Sequence, residues 1–323
     1  MRRSLALAAV CALVLAGTAT AGNGGFAPVE GVSPNSERIN DAYNWVSIYT
    51  AAILVLVQVS LVWFVIRYRR RRRARTDDGP QVHGNTKLEL AWTLAPALIL
   101  VAIGSYVFYK LPGIEDVPSA NASGGRLDVE VEGYRFYFNY TYPNGVIQVD
   151  TMRAPEDRNV RLSITSGDFD VIHSWWVPAL AGKRDAIPGE ETEIWFNAAT
   201  PGIYRGQCTE FCGIQHARME AAVEVLPRDE FDEWLEDEAR AQENGTSDLG
   251  EQTYAGACAK CHGPEGEGDI GPPLRGNGLL QDREAVELVV RNGREQMPPV
   301  GKDWTDRQMD ALTKYLEEEL GGR

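Results

Sequence analysis

The sequence predicts a membrane protein with three structural parts: a two-span α-helical transmembrane hairpin, an all-β domain and a small all-α domain. Two long apolar segments occupy the first third of the 323 residues. A region of short alternating strands follows, and a region of helical periodicity closes the chain. Hydrophobic residues make up 44% of the chain and charged residues 24%, so it can build packed cores and wholesale disorder is excluded.

Residues 1–21 are typical of an export signal. Arg2 and Arg3 precede an apolar stretch from Leu5 to Leu15, and small residues at 19–21 form a candidate cleavage site. A short membrane span is the alternative, but the apolar stretch is shorter than a span requires.

Residues 46–66 and 88–109 are predicted to cross the membrane as helices. Each contains at least 21 residues, which at about 1.5 Å per residue gives about 31 Å. The intervening residues 67–87 contain a run of arginines, which the positive-inside rule assigns to a cytoplasmic loop rather than to nucleic-acid binding. Everything after about residue 110 is therefore expected on the external side.

Residues 124–228 are predicted to form the all-β domain, a sandwich or a barrel. Short runs of alternating or β-branched residues are separated by Gly and Pro turn signals. The predicted strands are 126–132, 160–165, 171–177, 193–197 and 221–226.

A metal-binding pattern lies near the end of this domain. Cys208, Cys212, His216 and Met219 fall within twelve residues, and His173 on a predicted strand offers a second imidazole. Sulfur and imidazole donors suit copper or zinc. A Cys208–Cys212 disulfide, a structural zinc site and an ordinary buried histidine at 173 are the alternatives. The weak thioether ligand favours copper, and two thiolates can bridge two copper ions.

Residues 248–323 are predicted to form the all-α domain, after an acidic helix and linker at 229–247. The motif Cys258-Ala259-Lys260-Cys261-His262 is typical of covalent haem attachment, with the histidine as an axial ligand of the iron. A redox dithiol or half of a zinc site are the alternatives. A thioredoxin-type dithiol needs a strand before the motif, and none is apparent in the sequence. A zinc site needs a second ligand pair, and this region offers none.

Two methionines could supply the sixth ligand of the haem iron. Met297 lies in a loop before Pro298 and Pro299, whereas Met309 lies in a predicted closing helix from Asp306 to Leu320. We expect Met297 to be the ligand and Met309 to be part of the core.

These motifs resemble subunit II of haem–copper cytochrome oxidases, in which a cupredoxin domain holds the dinuclear copper centre CuA. The carboxyl-terminal segment resembles class I c-type cytochromes, so the whole resembles the caa3 type with a fused cytochrome c. The resemblance implies that His173, Cys208, Cys212, His216 and Met219 are copper ligands through their side chains, and that Glu210 is a ligand through its backbone carbonyl. It also implies a magnesium ion near Glu210 and Asp185 at the contact with subunit I.

The resemblance assigns two further residues. His83 to Pro96 is similar to the start of the family's second helix, which makes Glu89 the carboxylate at the entrance of a proton path. A carboxylate simply solvated at the membrane interface is the alternative. Phe136 stands where the family usually has the tryptophan that receives electrons, so it is a candidate electron entry point.

The expected function is electron transfer from an external donor through haem c and CuA to the haem of subunit I, where oxygen is reduced to water. Expected partners are subunits I and III, a c-type cytochrome or other donor, and the plasma membrane of a prokaryote. Residues 228–323 contain 23 acidic against 11 basic side chains, which excludes nucleic acid and favours a basic donor. A subunit of a nitrogen-oxide reductase and a copper-delivery module are the alternatives.

Overall fold

The computed structural model describes residues 28–69, 81, 83–119, 125–168 and 170–322. The predicted export signal at 1–21 and most of the basic loop at 67–87 lie outside the described residues. The described chain falls into two compact units, Asn40–Lys110 and 111–322, and the second unit also contains Gly31–Ile39.

Two helices, α1 (Pro34–Tyr68) and α2 (Thr86–Lys110), are long and apolar enough to cross a membrane. They contain the predicted spans 46–66 and 88–109. Helix α1 begins well before its predicted span because Pro34 occupies its first turn and the backbone carbonyl of Ser33 accepts the amide of Glu37. At about 50 Å, α1 is longer than the roughly 30 Å apolar layer of a bilayer. A short helix α3 (Pro112–Glu115) follows.

The all-β domain is a sandwich of two five-stranded sheets, which confirms the predicted fold class. One sheet has the order β3-β2-β1-β5-β8 and the other the order β4-β10-β9-β6-β7. The strands are β1 (Arg126–Tyr134), β2 (Tyr137–Thr141), β3 (Ile147–Val149), β4 (Thr151–Pro155), β5 (Asn159–Ser166), β6 (His173–Trp176), β7 (Arg184–Ala186), β8 (Thr192–Phe196), β9 (Gly202–Cys208) and β10 (Glu220–Leu226).

The core of the sandwich lies between the two sheets. Trp175 of β6 is fully buried and donates its indole N–H to the hydroxyl of Tyr140 on β2, at 3.0 Å. The predicted strand at 171–177 is too long at both ends. Val171 donates its amide to the side chain of Asp170, and Val177 begins a turn closed by the amide of Leu180.

The carboxyl-terminal part is helical, as predicted. The acidic segment forms α4 (Arg228–Glu243), whose Phe231 is fully buried against the sandwich core. The remaining helices are α5 (Leu249–Thr253), α6 (Ala259–His262), α7 (Arg283–Asn292) and α8 (Asp306–Tyr315), with wider helical turns at Tyr254–Cys258 and Leu316–Leu320. The side chains of Asp282 and Thr305 cap the amino ends of α7 and α8.

The sandwich and the helical domain share a hydrophobic core. Tyr134, Tyr137 and Val149 of the sandwich pack in the same cluster as Trp304 and Met309 of the helical domain. The helical domain is therefore packed against the sandwich and not only joined to it by the segment after α4.

Candidate metal and haem sites

Adjacent strands bring the predicted metal-binding residues to one end of the sandwich. His173 begins β6, Cys208 ends β9, and the two strands pair with Trp175 opposite Cys208. The following loop folds back so that the amide of Cys208 bonds the carbonyl of Met219 at 2.9 Å. The amide of Thr209 bonds the carbonyl of Ser174, also at 2.9 Å, and fixes the start of the loop against β6.

The predicted donor atoms converge around the two thiols. Cys208 Sγ lies 4.0 Å from His173 Nδ1 and 3.2 Å from the carbonyl oxygen of Glu210. Cys212 Sγ lies 3.6 Å from His216 Nδ1 and 3.8 Å from Met219 Sδ. The ligand atoms of His173, Cys208 and Cys212 all lie within 4.8 Å of one another. Each thiol thus has its own imidazole and one weaker donor.

Asp170 orients the buried His173. The Nε2 atom of His173 faces Asp170 Oδ1 at 3.5 Å, which leaves Nδ1 towards Cys208. Arg135 holds the carboxylate of Asp170 through its backbone amide at 3.0 Å and its Nε at 2.8 Å. Burial lowers the pKa of His173, but the partners Asp170 and Cys208 outweigh burial and raise it. This arrangement of a carboxylate behind a histidine is typical of metal ligands.

The two thiols differ in acidity. A hydrogen bond from Cys212 lowers the pKa of Cys208, and the same pairing raises the pKa of Cys212. Among the residues the structure describes, both are free cysteines and both are buried. A thiolate at 208 is the form that binds a soft metal.

The two predicted magnesium-binding carboxylates and the predicted proton-path carboxylate are all at least partly exposed to solvent. Glu210 is exposed, and Asp185 on β7 is half-buried. Ser174 links them, because it lies opposite Asp185 and accepts from the amide of Thr209, the residue before Glu210. Glu89 is exposed at the start of α2, where its carboxylate accepts from the amide of Asn85 at 3.0 Å. These roles remain predictions.

Phe136 is buried between the metal-binding loop and the helical domain. A Cβ atom added to Gly213 of the loop would lie 3.0 Å from the ring of Phe136. The backbone carbonyl of Phe136 accepts from the Nζ atom of Lys260 at 2.8 Å. Only 7% of Phe136 is exposed, so its ring is not available to an external protein. Its role in electron entry remains a prediction.

The predicted haem-attachment motif begins inside the helical core. Cys258 and His262 are buried, and Cys261 is half-buried on α6. The Nδ1 atom of His262 lies 2.7 Å from the carbonyl oxygen of Pro272, which leaves Nε2 as the free ring nitrogen. A Cβ atom at Gly271 would lie 2.9 Å from the His262 ring, so a glycine is needed for this close approach.

The two candidate methionines have different surroundings. Met309 on α8 is fully buried in the core, as expected for a packing residue. Met297 lies half-buried in a loop, packed against the same core, and its backbone exchanges two hydrogen bonds with Arg294. Met297 as the axial ligand remains a prediction.

Sequence reasoning missed the residues that connect the two sites. The carbonyl of Lys260, between the two haem-motif cysteines, accepts from Gln215 Nε2 at 2.8 Å and from Arg218 at 3.2 Å. The Nζ atom of Lys260 forms an ion pair with Asp150 of the sandwich. Arg218 also pairs with Asp269 at 3.0 Å. No local pattern marks these residues, because their partners lie 42 or more positions away along the chain.

Comparison with known proteins identifies the family. The model described as cytochrome C oxidase subunit II, transmembrane domain, matches residues 22–109, and the model of the periplasmic domain matches residues 145–226. Cytochrome c oxidase subunit 2 of Alkalihalophilus pseudofirmus is 30% identical over 310 residues, which cover 88% of this chain and 87% of that protein. The chain belongs to the cytochrome c oxidase subunit II family.

The chain is also similar to other proteins over parts of its length. A model described as cytochrome C oxidase, cbb3-type, subunit III, matches residues 245–316. Cytochrome c oxidase subunit 2 of Cereibacter sphaeroides is 30% identical over 263 residues, covering 69% of this chain and 83% of that protein. The periplasmic domain of subunit II of cytochrome oxidase of Bradyrhizobium japonicum is 33% identical, covering 38% of this chain and 97% of that structure, with a TM-score of 0.35.

As a subunit II, the chain is an electron-transfer component of a cytochrome c oxidase and associates with subunit I. It is a membrane protein with a periplasmic domain, and its family implies copper and haem c. The residues present fit both groups. Thiol, imidazole and thioether donors converge at one place, and such donors suit copper. In the haem motif, the contact of His262 Nδ1 with Pro272 leaves Nε2 for an iron, and Cys258 and Cys261 precede this histidine in the sequence.

Proposed function

We propose that this subunit II receives electrons at its haem-bearing helical domain and delivers them, by way of a dinuclear CuA centre, to the haem of subunit I, where oxygen is reduced to water. The convergence of four donor groups on the thiols of Cys208 and Cys212 carries this proposal. When bound, haem c and CuA supply one-electron carriers that change oxidation state without making or breaking a bond.

We assign the ligands of the copper centre as follows. Cys208 and Cys212 would bridge two ions, and the pairing of each thiol with one imidazole and one weaker donor supports a dinuclear rather than a mononuclear centre. The Asp170 carboxylate behind His173 restrains the imidazole, so little rearrangement is expected on reduction. The ligand set is His173, Cys208, Glu210 through its carbonyl, Cys212, His216 and Met219.

We assign covalent haem attachment to Cys258 and Cys261, with His262 and Met297 as axial ligands. The hydrogen bond from His262 Nδ1 to the Pro272 carbonyl supports Nε2 as the iron-binding atom. It also fixes the plane of the imidazole ring.

We expect the contact with subunit I to lie on the outer side of the metal-binding loop. Phe211 and Ile214 of this loop are 76% and 80% exposed, and exposed large apolar side chains favour a protein contact. Glu210 and Asp185 would hold a magnesium ion at this contact, since carboxylates suit hard cations. Glu89 would stand at the entrance of a proton path, and subunit III is a further expected partner.

The external donor is expected to be a basic protein, a c-type cytochrome among others. The acidic excess in residues 228–323 would attract it, and transfer rates should fall as ionic strength rises. The membrane is expected to be the plasma membrane of a prokaryote, with both redox domains on the periplasmic side.

The test is reconstitution of the chain with its haem–copper large subunit, followed by rapid mixing with a reduced donor. We expect the covalent haem to be reduced first and oxygen to be consumed afterwards. The variant Cys212→Ser should still accept electrons at the haem but should stop oxygen consumption. Co-purification with a nitrogen-oxide reductase, or oxygen consumption unaffected by Cys212→Ser, would contradict the proposal.

A further inference from the structure

Lys260 is held by the sandwich at both of its ends. Its Nζ atom bonds the carbonyl of Phe136 at 2.8 Å and the carboxylate of Asp150. Its own carbonyl accepts from Gln215 and Arg218 of the metal-binding loop. One residue of the haem motif therefore contacts the sandwich through both side chain and backbone.

These contacts lie one residue away from the proposed ligands. Gln215 precedes His216 in the chain, and Lys260 precedes Cys261. The side chain of Gln215 donates a hydrogen bond of 2.8 Å to the carbonyl of Lys260. Apart from this one hydrogen bond, the connection from the copper loop to the haem-attachment segment consists of covalent bonds. Arg218, which precedes Met219, gives a second connection of the same kind at 3.2 Å.

We propose that Lys260 is a positioning residue that fixes the haem-attachment segment on the copper loop, and that the hydrogen bonds to its carbonyl carry the electronic contact between the two centres. This inference rests on the proposed function. In the transfer step one electron leaves the haem iron, which is oxidised, and enters the copper centre, which is reduced. No bond forms or breaks, so the rate depends on the distance and the connection between the centres.

The ion pair with Asp150 is placed to specify one docked arrangement. Only 12% of the Lys260 side chain and 21% of the Asp150 side chain are exposed. Asp150 is itself fixed, because its carboxylate accepts from the amide of Phe138 at 3.2 Å and its amide bonds the carbonyl of Phe138 at 2.8 Å. Such a pair favours this arrangement over any docking that would bury one of the two charges without its partner.

The decisive variant is Asp150→Asn, which leaves the haem motif unchanged. Asp150 has a φ of 59°, and asparagine tolerates this conformation well while keeping an oxygen for the amide of Phe138. The matched control is Asp310→Asn, which breaks an ion pair with Arg283 inside the helical domain, where the two side chains are 53% and 57% exposed.

Two measurements test the positioning role of Lys260, both on the full-length chain in detergent with haem and copper bound. Hydrogen exchange at residues 213–219 reports the docking, and flash-initiated reduction of the haem reports the transfer to copper. In Asp150→Asn we expect exchange to become about tenfold faster and transfer about tenfold slower. The reduction potentials and the spectra of both centres should be unchanged, and Asp310→Asn should match the wild type.

Wild-type exchange and transfer rates in Asp150→Asn, with both centres loaded, would overturn this inference but not the proposed function. A wild-type chain that binds neither two coppers nor a covalent haem would overturn the proposed function instead. If Asp150→Asn does not fold, comparing Lys260→Met with Lys260→Arg gives the same decision. The inference expects slow transfer in Lys260→Met and near-normal transfer in Lys260→Arg, and equal rates in the two would overturn it.

Discussion

The hydroxyl of Tyr137 in the sandwich accepts a hydrogen bond from Trp304 Nε1 of the helical domain at 2.6 Å and donates one to the carbonyl of Val300 at 2.5 Å. Val300 lies three residues after Met297 in the same loop, and Tyr137 follows Phe136. The loop proposed to ligate the haem iron is therefore tied to the same part of the sandwich that contacts Lys260. The haem domain is held at two separate places.

The variant Tyr137→Phe should destabilise the folded chain by about 1–3 kcal/mol, because a buried indole N–H and a buried carbonyl lose their partner. The measurement is denaturant unfolding of the full-length chain followed by near-ultraviolet circular dichroism. Tyr204→Phe is the control, since the Tyr204 hydroxyl bonds Thr200 at an exposed position. Equal losses of unfolding free energy in the two variants would contradict a stabilising role for the buried Tyr137 hydroxyl.

The variant Gly133→Ala should weaken copper binding about 10–100-fold, the range seen when the support of a metal ligand is disturbed. A methyl group at this position would lie 3.0 Å from Cδ2 of His173 and would push the imidazole away from the thiols. Competition with a copper chelator measures the affinity. Gly278→Ala is the control, because nothing lies within 4 Å of a Cβ atom there. Unaltered affinity in Gly133→Ala would contradict His173 as a ligand.

Substitutions of the two methionines should separate ligation from packing. Met297→Ala should lower the reduction potential of the haem and change its absorption spectrum, with a small loss of stability. Met309→Ala should keep both properties and lower the free energy of unfolding by about 2–5 kcal/mol, because it opens a cavity in the core. The reverse pattern would make Met309 the ligand.

Stability should decline with rising pH partly because of Glu132. Burial raises the pKa of this carboxyl above its ordinary 4.5. The hydrogen bond from the Tyr134 hydroxyl lowers this pKa, and the nearby negative charges of Asp303, Glu130 and Asp168 raise it further. Since the folded value is the higher one, its contribution is fully present below pH 4.5 and is lost as pH rises through the folded pKa. Glu132→Gln should remove this part of the decline. Parallel stability curves of variant and wild type from about pH 4 to 7 would contradict it.

The sequence predicted some of the strands of the sandwich. Strands β1, β5, β8 and β10 were found near their predicted positions. In β1 and β5 buried residues alternate with more exposed ones, whereas β8 and β10 each contain three consecutive buried residues. The sequence did not predict β2, β3, β4, β7 or β9. In β2 four of the five residues are buried, so no alternation is visible, and β9 contains Gly202 and Gly206 among mostly polar residues.

The donor set could be predicted from the sequence, but its support could not. The spacing of Cys208, Cys212 and His216 is local, so it can be recognised without a structure. Asp170 behind His173 and Asp150 beside Lys260 acquire their roles only when strands and domains pack together. Lys260 and Asp150 are 110 positions apart in the sequence, and no local sequence pattern predicts a contact over such a separation.

We expect a pair of copper ions between Cys208 and Cys212 at the end of the sandwich, in a chain that also carries a covalently attached haem. Electron paramagnetic resonance of the purified full-length chain, combined with copper and haem counts, tests it most directly. We predict a mixed-valence signal shared by two coppers, with two coppers and one covalent haem per chain. A single copper, a zinc ion, or a disulfide between Cys208 and Cys212 in the native protein would contradict it.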